Sequence, residues 1–134
     1  MIAILLSAGL GSRLKPITNK VPKCLVPVNG KSLIDYWFEQ LSNAGIERFL
    51  VNTHYMANKV ERHIRKSEFA HKVKISFEEE LLLTAGTIAR NEDFINNQAF
   101  MLVHADNLSI CNFSSFIESH IRRPKGTEIT MANY

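Results

Sequence analysis

The first apolar run, Ile2-Ala-Ile-Leu-Leu6, has no polar interruption and stops at small residues, the pattern of a strand buried on both faces of a parallel sheet. Phe49 to Thr53 and Ala99 to Val103 repeat it and read as further buried strands. Val73-Lys-Ile-Ser-Phe77 alternates instead, which predicts a strand with Val73, Ile75 and Phe77 on one face. Between these runs the spacing becomes helical. Leu33, Ile34, Trp37, Leu41 and Ala44 form a stripe on a helix from Leu33 to about Ala44, with Ser32 placed to cap its start and Gly45 to end it. A second helix is expected from about Met56 to Lys66, with Met56, Val60 and Ile64 inward, and a short one from Thr84 to Arg90. Asn112 caps a further helix carrying Phe113, Phe116, Ile117 and Ile121, and Glu128 to Tyr134 reads as a strand that has only begun.

Strands alternating with helices predict an α/β chain, a Rossmann-like three-layer α/β/α arrangement with a mainly parallel sheet and right-handed crossovers. No linker, repeat or low-complexity stretch divides residues 1–134, so one domain is expected, apparently truncated for an enzyme that must grip two substrates. In such sheets ligands sit beyond the carboxyl ends of the strands. The glycine loop after Leu6 and Asp106 after Val103 both fall there, although they are far apart in sequence.

Composition narrows the class. With 134 residues, 46% hydrophobic and 22% charged, the chain is not disordered, collagenous or a coiled coil. The net charge of +3 is uneven: Met1 to Ser32 holds Arg13, Lys15, Lys20, Lys23 and Lys31 and no acidic residue, so this end of the molecule expects anions. No basic helix, zinc-ligand spacing or aromatic-basic interleaving argues for nucleic acid. The apolar start is too short to span a membrane and lacks the basic opening of a signal peptide, and the two cysteines, Cys24 and Cys111, form no ligand or disulfide pattern. A cytoplasmic protein is expected.

In Leu6-Ser-Ala-Gly-Leu-Gly-Ser-Arg-Leu14, Gly9 and Gly11 free the backbone to turn tightly and bring N–H groups against phosphate oxygens. Pro16, Pro22 and Pro27 stiffen the following segment, so Arg13 and Lys23 are held around a phosphate chain at lower entropic cost. The dinucleotide fingerprint wants glycine where Leu14 stands, and a Walker loop wants glycine at Leu25.

The string Leu6 to Pro27 resembles the signature of the sugar nucleotidyltransferases, or nucleotide-sugar pyrophosphorylases: Gly-x-Gly-[Ser/Thr]-Arg-Leu, then Pro, Thr and Pro-Lys. Thr84-Ala-Gly86 resembles that family's base-contacting turn, in the manner of mannose 1-phosphate guanylyltransferases, and Asp106 stands where the family has a metal-binding aspartate. The chain departs from the pattern at Ala8, Leu83 and Ala105, where glycine is frequent. The resemblance implies attack of a sugar 1-phosphate oxygen on the α-phosphorus of a nucleoside triphosphate, forming a nucleotide-sugar and pyrophosphate. It implies that Leu6, Ala8, Gly9, Gly11, Ser12 and Arg13 contact the nucleotide, with Thr84, Ala85 and Gly86 at the base. Arg13, Lys23 and Asp106 would serve the chemistry, Asp106 by holding Mg2+. It further implies sequence beyond Tyr134 carrying most of the sugar pocket and a second metal-binding aspartate, so weak nucleotide binding and little turnover are expected of this chain alone.

The remaining chemistry is weaker. Asp106 alone, before Asn107, would read as a turn or cap. His63, His71 and His120 read as surface residues without carboxylate partners, and His54 as a strand-end residue facing the loop's rim. Glu78, Glu79 and Glu80 form one acidic run, ordinarily solvated; a carboxylate here, Glu80, would accept from guanine N1–H and its exocyclic amine, which tilts the base toward GTP. The alternatives are a cytidylyltransferase acting on an alcohol phosphate, a nucleotide-binding module without catalysis, and a dinucleotide-dependent oxidoreductase domain. An unfinished sheet edge would also favour pairing into a homo-oligomer.

Overall fold

The computed structural model describes residues 1–132. Its strands are β1 (Ile2–Leu6), β2 (Pro27–Val28), β3 (Lys31–Ser32), β4 (Phe49–Thr53), β5 (Val73–Phe77) and β6 (Phe100–His104), and its helices are α1 (Leu33–Asn43), α2 (Ala57–Lys66), α3 (Leu83–Arg90), α4 (Glu92–Ile95) and α5 (Phe113–Ile121). Four strands form one parallel sheet in the order β5-β4-β1-β6. Because β1 is central and its apolar run is buried, its side chains divide between two cores.

Ala3 and Leu5 face α1, α2 and α5 with Phe49, Val51, Phe38 and Ile64, while Ile2 and Ile4 face Leu50, Phe94 and Ile95 on the side of α3 and α4. This is the three-layer arrangement expected from the sequence. Each fully buried Leu, Ile or Phe contributes about 1.5–3 kcal/mol, so the two clusters hold the sheet between its helices. No helix among the described residues is long and apolar enough to cross a membrane.

The helix starts follow local chemistry. Ser32 Oγ accepts from Asp35 N at 3.3 Å at the head of α1, and Asn112 Oδ1 accepts from Ser115 N at 3.0 Å at the head of α5. Met56 does not open α2: it sits before the helix with φ 50, and Ala57 takes the first buried position. Phe77 is 52% exposed at the end of β5, beyond the reach of the core that covers Val73 and Ile75. The stretch from Glu128 forms no strand among the described residues, and Asn133 and Tyr134 lie outside them. A hairpin unpredicted from the sequence joins β2 to β3 through Asn29 (φ 49) and Gly30 (φ 81), the left-handed pair that two-residue hairpin turns need.

Candidate active site

The carboxyl ends of β1, β4, β5 and β6 are level, since Leu6 pairs with Asn52 and His104, and Thr53 with Phe77. The chain leaves β1 through buried Ser7 and Ala8 and emerges at Gly9. A Cβ built on Gly9 meets no atom within 4 Å, so the loop backbone there faces open space. Gly11 differs: φ is 62, and a Cβ would lie 2.8 Å from Thr18 Cγ2. Thr18, 1% exposed, donates from Oγ1 to the Gly11 carbonyl at 2.8 Å and accepts at its own carbonyl from Tyr55 Oη at 2.9 Å. The loop is thereby tied to the segment after β4 before it turns into the 3-10 turn Ser12–Leu14. Arg13 is exposed and takes part in no ion pair among the described residues.

Lys23 opens another 3-10 turn, Lys23–Leu25, and its Nζ lies 2.6 Å from Asp106 Oδ2. Cys24 beside it is fully buried, and that burial pushes its thiol up to about 12, which leaves it inert at neutral pH. Asp106 follows Ala105, which is fully buried with its N–H bonded to the Leu6 carbonyl at 3.0 Å; on the other side Trp37 Nε1 donates to the Asn107 carbonyl at 2.9 Å. Both flanks of Asp106 are held, and its side chain stays 36% exposed. A single carboxylate of this kind, with no cluster of three or more metal-ligating side chains among the described residues, fits a hard cation that completes its shell with phosphate oxygens and water.

Thr84, Ala85 and Gly86 lie in the first turn of α3. Gly86 is packed, because a Cβ there would meet Leu82 Cβ at 2.9 Å. Leu83 has φ 60 and is 71% exposed, so this departure from the family pattern places a leucine in a left-handed conformation. The acidic run corrects the expectation of a solvated stretch: Glu79 and Glu80 are exposed, whereas Glu78 is fully buried. Two signals for this were present in the sequence. Glu78 continues the alternation that puts Ser76 on the α3 side of β5, and Asn52 is a polar residue inside a buried strand, which demands a partner.

His54 Nδ1 donates to the Glu78 carbonyl at 2.9 Å, so it joins the ends of two strands. His63, expected at the surface without a partner, is half-buried with Nε2 2.9 Å from both Asp35 oxygens, α2 packing beside the head of α1. Ser32 Oγ stands 3.3 Å from the same nitrogen and 2.6 Å from Asp35 Oδ2. One imidazole nitrogen thus faces both neighbours, which is no nucleophile relay. A groove of about 560 Å³ runs along β6 and α5 between Met1, Met101, Phe116 and Ile129, away from Gly9, Lys23 and Asp106.

Residues 2–134 match the model of the nucleotidyl transferase family. N-acetylmuramate alpha-1-phosphate uridylyltransferase from Caulobacter vibrioides is 46% identical over 88 residues, covering 63% of this chain and 36% of that protein. D-glycero-alpha-D-manno-heptose 1-phosphate guanylyltransferase from Campylobacter jejuni is 34% identical over 102 residues, covering 76% and 46%. The crystal structure of HddC from Yersinia pseudotuberculosis complexed with GMP-PN superposes with a TM-score of 0.77 at 27% identity, over 90% of this chain and 54% of that one. The chain therefore spans about a third to a half of the proteins it matches. The motif at Gly9 to Lys23, the sheet that carries it and the family match agree: this chain belongs to the nucleotidyl transferase family.

Proposed function

We propose that the chain is the nucleotide-binding part of an enzyme that transfers a nucleotidyl group from a nucleoside triphosphate to a sugar 1-phosphate, with release of pyrophosphate. The observation that carries this is the Lys23–Asp106 pair, which sets a cation and a carboxylate together at the carboxyl edge that the Gly9–Gly11 loop also borders. Two polyanions have to meet there, a task for fixed charges and positioning with no side-chain nucleophile. Backbone N–H groups from Gly9 to Ser12 hold the triphosphate, Arg13 binds the leaving pyrophosphate portion, and Lys23 binds the reacting phosphates. Asp106 holds Mg2+, which neutralises phosphate charge when bound.

GTP is the favoured nucleotide. Glu80 is exposed just before α3, where a carboxylate would suit guanine's donor pair, and the Campylobacter relative is named a guanylyltransferase. UTP is the second reading, carried by the Caulobacter relative at higher identity over a shorter span. Titrating GTP, UTP, dTTP and CTP into the chain with Mg2+ separates them by affinity. GTP is expected to bind tightest, and Glu80→Gln to narrow its margin; a preference for UTP or CTP would sink the guanylyl assignment.

A further inference from the structure

One buried polar network crosses the sheet end from the glycine loop to α3. Ser7 N donates to Asn52 Oδ1 at 2.7 Å, and Ser7 Oγ donates to the Asn52 carbonyl. Asn52 Nδ2 donates to Glu78 Oε1 at 3.0 Å and to Thr87 Oγ1 at 3.1 Å, and Thr87 Oγ1 donates to the same Glu78 oxygen, with the Leu83 carbonyl at 2.9 Å the alternative acceptor for its one proton. Leu82 N donates to Glu78 Oε2 at 3.2 Å. The side chains are sealed from water: Ser7 is 6% exposed, Asn52 4%, and Glu78 and Thr87 0%. The Glu78 backbone is fixed too, its N–H on the Thr53 carbonyl at 2.8 Å and its carbonyl under His54 Nδ1.

A buried carboxylate is costly to desolvate, yet removing it alone would strand the buried donors of Asn52, Thr87 and the Leu82 amide, so the group is kept by its partners rather than by packing. What the carboxylate provides is a single arrangement of donors. Its three side-chain contacts all come from donors: two reach Oε1 from Asn52 and Thr87, and one reaches Oε2 from Leu82. Asn52 then transmits that arrangement to Ser7, where the loop departs from β1.

We infer that Glu78 is a positioning residue that couples the glycine loop to the turn at Leu82–Gly86, so that the phosphate-binding and base-binding segments hold one spacing. Glu78 is too deeply buried to touch a nucleotide and acts through Asn52, Thr87 and the Leu82 amide. The coupling stands on the ligand-free molecule, and its consequence for nucleotide binding rests on the function proposed above.

Glu78→Gln separates this role from simple packing. The amide keeps the shape, but its NH2 must face either the Asn52–Thr87 donor pair or the Leu82 N–H, and the single donor is the less costly side. In the ligand-free chain, amide hydrogen exchange followed by NMR is expected to speed up about tenfold at Leu82 and measurably at Ser7, with Ile4 and Leu50 unchanged. Thr87→Val should loosen the same two amides, and Thr87→Ser, which restores the hydroxyl, should return them to the wild-type rate. Acceleration spread evenly over the core, or confined to Leu82 with Ser7 untouched, overturns the coupling.

The ligand arm uses GTP and inorganic tripolyphosphate as probes, the second lacking a base. Glu78→Gln is expected to weaken GTP about tenfold and tripolyphosphate much less; equal weakening of both, or none, overturns the assignment of spacing. A wild-type chain that holds neither probe would refute the nucleotide-binding reading, while the exchange measurement still decides the coupling.

Discussion

Gly9 and Gly11 stand two residues apart in one motif, yet alanine at the two positions should fail in different ways. At Gly11 the backbone has φ 62, where an L-residue costs about 1–2 kcal/mol. The added Cβ would also sit 2.8 Å from Thr18 Cγ2, and Thr18 has little room to retreat because it is 1% exposed and bonded to the Gly11 carbonyl. Overpacking of this kind costs a further ~1–3 kcal/mol, so Gly11→Ala should lose about 2–5 kcal/mol, a drop of roughly 6–20 °C in melting midpoint for a domain of this size. Thr18→Ser removes Cγ2 and keeps the hydroxyl, so in the Gly11→Ala background it should recover the steric part and leave the backbone part. At Gly9 nothing lies within 4 Å and φ is not left-handed, so Gly9→Ala should keep its stability within about 0.5 kcal/mol of wild type. Its methyl instead projects toward the proposed triphosphate and should weaken GTP at least about tenfold, because the backbone can no longer approach. Thermal denaturation by circular dichroism and calorimetric titration of GTP read the two effects. Unchanged stability in Gly11→Ala, or full GTP affinity in Gly9→Ala, would refute the reasoning.

Three further outcomes follow from the same geometry. Lys23→Met should abolish measurable GTP binding in a titration yet lower stability by less than about 1 kcal/mol, since its pair with Asp106 is partly solvated; Lys23→Arg should not restore full affinity. The Asp35–His63 pair should make stability depend on pH at both ends. The hydrogen bond to Asp35 raises His63 above its ordinary 6.5, so that contribution is complete below 6.5 and fades as pH rises through the raised value. Burial works to raise Asp35, but hydrogen bonds from His63 and Ser32 outweigh it and leave it below 3.8, so its contribution is complete above 3.8 and fades in stronger acid. Melting midpoints of wild type and His63→Gln should therefore differ most between about pH 4 and 6.5 and converge above that window; a constant gap would count against the ion pair. Leu83→Ile should lower stability by roughly 1 kcal/mol, because a β-branched side chain tolerates φ 60 less well than leucine, and Leu83→Gly should not lower it.

The four strands of the parallel sheet and most helices were legible because burial on one or both faces writes a period of two, an unbroken apolar run or a helical stripe directly into the chain. The boundary of β1, the Ser32 and Asn112 caps and the glycine loop all came from such local rules. Local rules missed where a residue's neighbour lies far along the chain. The Asn29-Gly30 turn is a local signal, whereas the burial of Glu78 is not local. Glu78 reads as solvated beside Glu79 and Glu80 until β5 lies against β4 and α3 closes over it, bringing donors from Asn52, Leu82 and Thr87.

Lys23 and Asp106 were each legible as charges suited to phosphate chemistry, 83 positions apart, but the 2.6 Å between them exists only because β1 pairs with β6. His63 gained its carboxylate in the same way, when α2 packed beside the start of α1. The sequence by itself determined which segments become strands and helices and which loop expects phosphate, since those follow from spacing within a few residues. Tertiary structure alone decided with whom the buried polar groups pair, because hydrogen bonding across the core depends on what the sheet order brings alongside.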